Sequence, residues 1–165
     1  EYAAPFGPVL RFHRPVSGRD GRFIAALPQA PGGNELFQTA GLGDVAVPTM
    51  LQAGTLDTTT PYAIEAEAPF AALPRPAWLL TIAGAGHFTF SDMCELVEQI
   101  GLSIEEFEDG CGPDNIPSRE AQAIIVRYAT AFLQVYVAQL DDAAYDYAAV
   151  LEPFAASGPT SLQAK

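Results

Sequence analysis

Short continuous apolar runs alternate with stretches of helical periodicity along this chain. The first run, Arg22-Phe23-Ile24-Ala25-Ala26-Leu27, is stopped by Pro28 and Pro31 and predicts a strand buried on both faces. Val47 to Gly54 predicts a second strand, with Pro48 at its entry, where a missing N–H is tolerated. Ala77 to Ala83 predicts a third, running into Gly84-Ala85-Gly86-His87. Between these runs, Glu35 to Leu42 predicts a short helix. Thr60-Pro61 opens another, with the threonine hydroxyl as its cap and the proline in its first turn. That helix extends to about Leu73, with a bend at Pro69. Ser91 to Ile100 predicts a further helix, and so does Ser118 to Gln139, whose Ile124, Ile125, Tyr128, Phe132, Val135 and Tyr136 fall on helical spacing. A last short helix is expected over Asp142 to Leu151.

Short buried strands alternating with helices predict an α/β fold with parallel strands and right-handed crossovers. The expected organisation is an irregular lead-in over 1–21, an α/β unit over 22–152 and a polar tail over 153–165. Three parallel strands make a poor sheet by themselves, because parallel sheets need both faces covered and their edges paired. The pattern therefore predicts that further strands come from elsewhere.

Composition narrows the possibilities. The chain has 165 residues, 49% of them apolar, enough for one modest domain with a core. A formal charge of -12 opposes binding to nucleic acid or to an anionic membrane surface. The apolar stretch from Ala121 to Leu140 is interrupted by Gln122, Arg127, Gln134 and Gln139, so it reads as a buried helix rather than a membrane span. No signal peptide is visible, and the chain opens at Glu1, in keeping with processing or trimming. Cys94 and Cys111 lie in one loop-rich region with Gly110, Gly112 and Pro113. A disulfide is favoured over two buried thiols, and no histidine nearby completes a zinc shell, so no metal is expected. A disulfide in turn favours a periplasmic or secreted protein.

The chemistry centres on Asp57 and His87. Asp57 follows the second predicted strand in Gly54-Thr55-Leu56-Asp57-Thr58-Thr59-Thr60-Pro61, and His87 follows the third in Gly84-Ala85-Gly86-His87-Phe88. Open parallel sheets bind ligands beyond the carboxyl ends of their strands, so both residues should stand at one edge. A carboxylate there fixes an imidazole in one tautomer, and the imidazole moves a proton to and from a nucleophilic hydroxyl. Each residue also has a bland reading, as a turn aspartate and as a loop histidine. His13 reads as a surface residue, Asp44 and Asp92 as turn or first-turn residues, and Trp78 and Phe90 as core. The acidic stretch Glu105 to Asp109 reads as a solvated face, with calcium binding a distant second.

Strand-G-x-x-D-x-x-x-P followed about thirty residues later by strand-G-x-G-H resembles the acid and histidine segments of the α/β-hydrolase fold, in that fold's Ser, Asp, His order. Within it, the chain is similar to the dienelactone hydrolase, platelet-activating-factor acetylhydrolase and polyester hydrolase group. His87-Phe88-Thr89-Phe90-Ser91-Asp92 and the cysteine loop look like bacterial secreted members, and the match spans roughly residues 22 to 138. The resemblance implies the C-terminal half of such a fold, with Asp57 and His87 catalytic and no cofactor. Phe37, Tyr62 and Phe88 are candidates to line an acyl pocket. None of Ser17, Ser91, Ser103, Ser118, Ser157 or Ser161 has the G-x-S-x-G setting of the family's nucleophile. The serine, the oxyanion hole and the earlier strands are then expected from a separate N-terminal companion chain, and this chain alone should be inactive and unstable. The expected substrates are small carboxylic esters. A serine peptidase of the prolyl-oligopeptidase kind and a non-catalytic binding module are the alternatives.

Overall fold

The computed structural model describes residues 20–101, 107–138 and 158–165. Their elements are α1 (Asn34–Gly43), β1 (Thr49–Gly54), a π-helical turn (Ala63–Glu67) continuing into α2 (Ala68–Ala72), β2 (Ala77–Ile82), a 3-10 turn (His87–Phe90), α3 (Met93–Ile100), α4 (Glu108–Cys111), α5 (Ser118–Tyr136) and β3 (Thr160–Ala164). The helix expected over 142–151 lies outside the described residues.

β1 and β2 pair in parallel from Thr49–Ala77 to Gly54–Ile82. Side chains alternate across β1, so Met50 and Leu51 go to opposite faces. On one face Met50, Leu80 and Ile82 pack against Ala121, Ile124, Ile125, Tyr128 and Phe132 of α5. The stripe expected from sequence is thus the buried face of α5, and each large side chain so buried contributes roughly 1.5–3 kcal/mol. Trp78 and Phe90 pack against this cluster, as their reading as core residues requires. On the other face Leu51, Ala53 and Leu79 pack against Ala66, Phe70 and Leu73 of the crossover helix. Gln52 is the largest polar side chain of β1, and it is fully buried. Its amide donates to the Ile125 carbonyl at 3.3 Å, and its oxygen accepts from Gln29 at 2.9 Å. Left unpaired there, the amide would cost about 1–3 kcal/mol.

Four expectations need correction. The sheet is mixed: β3 pairs antiparallel to β2, with Leu80 opposite Leu162, so residues 160–164 are a strand and not part of a polar tail. Residues 22–27 form no regular strand. They lead into a segment that follows β1 through two isolated parallel bridges, Ala26–Thr49 and Gln29–Gln52. Nor is that run buried on both faces, since Phe23 is 69% and Ile24 48% exposed. Pro28 removes one N–H from the middle of the segment, which limits how long a ladder it can sustain. The Thr60 hydroxyl caps no helix, because it is bonded to Asp57 instead. The bend expected at Pro69 is a change from π-helical to α-helical backbone at Glu67–Ala68, where the proline ring cannot serve a carbonyl one turn back.

Candidate active site

β1 and β2 end side by side, and their loops are tied to each other before either functional residue is reached. The Thr55 amide donates to the Ile82 carbonyl at 3.1 Å, and the Leu56 amide to the Ala85 carbonyl at 2.9 Å. The Thr55 hydroxyl accepts from the Gly84 amide at 3.0 Å. Asp57 and His87 are thereby held at the same sheet edge.

Asp57 is buried and His87 partly exposed; their side chains are 1% and 28% accessible. The Asp57 Oδ2 atom lies 3.1 Å from His87 Nδ1. Its Oδ1 accepts from the Thr60 amide at 2.6 Å, and its Oδ2 also accepts from the Thr60 hydroxyl at 2.8 Å. That hydroxyl is 3.2 Å from Nδ1. Carboxylate oxygens accept, so Nδ1 is the donating nitrogen of the imidazole and Nε2 the one left over. Nε2 has no hydrogen-bond partner among the described residues. Such an imidazole has one end fixed and the other free to exchange a proton.

A third side chain belongs to this corner, although the sequence reads it as part of a solvated acidic face. Residues 105 and 106 of that stretch lie outside the described residues, but Asp109 sits against both loops. Its Oδ1 accepts from the His87 amide at 2.9 Å. Its Oδ2 accepts from the amide and hydroxyl of Thr58 at 3.1 and 2.9 Å, and from those of Thr59 at 2.7 Å each. Partial burial opposes its charge, but the bonds from His87, Thr59 and Thr58 together outweigh it and hold the carboxyl below the usual value.

The loops cross too closely for side chains. A Cβ on Gly86 would lie 2.5 Å from the Gly110 amide nitrogen and 2.6 Å from Asp109 Oδ1. Gly110 has φ +128°, a left-handed value open to glycine. Around it, the Thr89 hydroxyl donates to the Gly110 carbonyl, and Asn115 Oδ1 accepts from the Gly110 and Gly112 amides. Cys94 and Cys111 form the expected disulfide, with Cα atoms 5.2 Å apart. It joins α3 to the last residue of α4, the segment that carries Asp109.

The three aromatic candidates are not brought together. Phe88 adjoins the His87 ring at 5.7 Å between centroids and packs edge-on against Phe107 at 5.2 Å. Phe37 lines a separate apolar cavity of about 180 Å³ with Leu42, Val45 and Leu51, to which neither Asp57 nor His87 contributes. The Tyr62 hydroxyl is hydrogen-bonded to Thr81 on β2, and the ring packs on the crossover-helix cluster. Among the described serines, Ser91 bonds to the Phe88 carbonyl, the Ser118 hydroxyl has no partner and Ser161 pairs with Thr81 in the sheet; none touches His87.

Among the described residues no cluster of histidine, cysteine and carboxylate could hold a metal ion. None of their helices is long and apolar enough to cross a membrane. With the disulfide, this is compatible with a secreted or periplasmic protein. No protein-family model matches the chain, and no curated protein matches it significantly.

Proposed function

We propose that this chain is part of a serine-dependent hydrolase of carboxylic esters, in which Asp57 orients His87 and His87 transfers protons for a serine on a companion chain. The observation that carries this reading is a partly exposed imidazole with Nδ1 tied to a buried carboxylate and Nε2 without a partner among the described residues. In the proposed cycle Nε2 takes the serine proton as the hydroxyl oxygen bonds to the ester carbonyl carbon. The protonated imidazole then returns that proton to the leaving alkoxide. Water attacks the acyl-serine by the same route, releasing the acid and regenerating the serine. The resemblance of the Asp57 and His87 segments to the dienelactone hydrolase group supports ester rather than peptide substrates, and no cofactor is needed. The secreted setting favoured by the disulfide fits the same group.

The companion chain is supported by the free flank of the sheet. The amides of Ala26 and Ala30 and the carbonyls of Ala26 and Pro28 pair with the β1 side. The intervening Ala25, Leu27 and Gln29 have no backbone partner among the described residues. Their outward groups would accept a strand of the N-terminal half, with the exposed Phe23 and Ile24 packing beside it.

A fluorophosphonate probe tests the proposal on the full chain with whatever co-purifies. The expected adduct is on a serine of a second polypeptide. An adduct on a serine of this chain overturns the two-chain arrangement, and the absence of any adduct overturns the hydrolase reading in favour of a binding module.

A further inference from the structure

Asp109 takes five hydrogen bonds, and all five come from the two loops that carry Asp57 and His87. Thr58 and Thr59 directly follow Asp57, and Thr60, the next residue, supplies two donors to the Asp57 carboxylate beside the His87 imidazole. The fifth donor is the backbone amide of His87 itself. Every one of these groups donates, so only an acceptor-only side chain satisfies them all at once, and an ionised carboxylate does so with charge-assisted bonds. The carboxylate is brought there from outside the sheet, by a segment fixed immediately after it. Gly110 lets the backbone pass against Phe88 and Thr89, where a Cβ would lie 2.5 Å from the Thr89 amide, and the disulfide at Cys111 ties the segment to α3.

From this geometry we infer that Asp109 is the positioning residue of the site, a clamp that sets the distance between the Asp57 carboxylate and the His87 imidazole. That role rests on the hydrolase reading for its use, but not for its detection. Asp109 touches neither the ring nor the Asp57 carboxylate, so it acts on both through backbone and through Thr58 and Thr59. An imidazole whose Nδ1–H is shared between Asp57 at 3.1 Å and Thr60 at 3.2 Å is sensitive to such placement, because a small rotation trades one partner for the other.

The test reads the His87 ring in the full isotope-labelled chain, with any companion that co-purifies, by nitrogen-detected nuclear magnetic resonance. There are only two histidines, so a His13→Gln variant assigns the spectrum. Asp109→Asn and the paired Thr58→Val, Thr59→Val variant are compared with the parent. The second keeps the Asp109 charge and removes two of its donors, which separates placement from simple electrostatics. Both variants should speed exchange of the His87 Nδ1 proton by about tenfold or more, the size expected for losing a charge-assisted hydrogen bond. With the companion present, Asp109→Asn should lower kcat with little change in KM. Lower melting temperatures with an unaltered Nδ1 proton would overturn the clamp, and the threonine pair decides the matter where Asp109→Asn does not fold. An altered proton without fluorophosphonate labelling removes the hydrolase reading and leaves the clamp standing. Labelling with an unaltered proton does the reverse.

Discussion

The two flanks of the sheet are built differently. On one side β3 closes against β2, presenting exposed Ser161, Gln163 and Ala164 to its outside. Lys165 follows at once, its ammonium donating to the Ala71 carbonyl at 3.0 Å and lying 5.1 Å from the centre of the Phe70 ring. A short strand with polar side chains is a poor template for further strand pairing. The other flank, residues 22–29, has exposed Phe23 and Ile24, no side-chain charge after Arg22, and backbone groups without partners among the described residues. The contrast teaches that the corner of Asp57 and His87 can be closely hydrogen-bonded while one flank of the sheet carries exposed apolar side chains among the described residues. An acid–imidazole pair with no serine beside it among the described residues fits that asymmetry.

The largest expected effect lies at the corner of Asp57 and His87. Asp57→Asn keeps the size of the side chain but can present an amide to Nδ1, favouring the wrong tautomer. Ester turnover by the chain with its companion should fall about ten-thousand-fold, while circular dichroism and companion binding remain as in the parent. Binding lost along with activity would mean that Asp57 serves the fold, and would erase the distinction between the two flanks.

Asp57 and His87 were legible in the sequence because each follows an apolar run ending in glycine. Sequence position alone then places them at one edge. The buried stripe of α5 was legible for a similar reason, since its periodicity extends over five turns. What escaped depended on distant partners. Asp109 looked like one more acidic residue among Glu105, Glu106 and Glu108, and nothing local distinguishes it. The glycine after it and Cys111 beyond are the only sequence hints that this segment turns inward. Thr60 was misread because a threonine before a proline has a plausible local role as a cap, whereas its actual partner is three residues back. β3 was missed because its five residues carry only one large apolar side chain, Leu162, too little for an alternating signal. The run at 22–27 misled in the opposite direction: Ala25 and Leu27 pack against the core, but among the described residues nothing buries Phe23 and Ile24.

A smaller effect belongs to that open flank. Phe23→Lys with Ile24→Lys places two charges where a strand would pair, the device that protects many natural edges. Both side chains are exposed, so the chain's own melting temperature should hardly change. Association with the companion should weaken by about tenfold to a hundredfold, measured by titration calorimetry or by loss of co-purification. Unchanged association would place the companion, or its absence, elsewhere and leave Phe23 and Ile24 as ordinary surface residues.

The smallest effect separates the two regions by pH. The Asp109 carboxyl is held below its ordinary value of 3.8, because the bonds from His87 and from Thr59 and Thr58 outweigh the cost of partial burial. Its unfolded form therefore binds protons more readily than its folded form. The stability this contributes is present in full above the unfolded value and is lost as pH falls through the folded one. Since Asp109 is only partly buried, solvent screening keeps the contribution below about 1 kcal/mol. Asp109→Asn should melt slightly below the parent at pH 6, and the gap should narrow once the pH falls below the ordinary value. The flank at residues 23–29 contains no ionisable side chain, so the deficit of the paired lysine variant in companion binding owes nothing to carboxylates of that segment. A melting gap between Asp109→Asn and the parent that stays constant from pH 6 to pH 3 would mean that the five bonds hold the loop without depending on the charge. The clamp would then be a matter of shape alone.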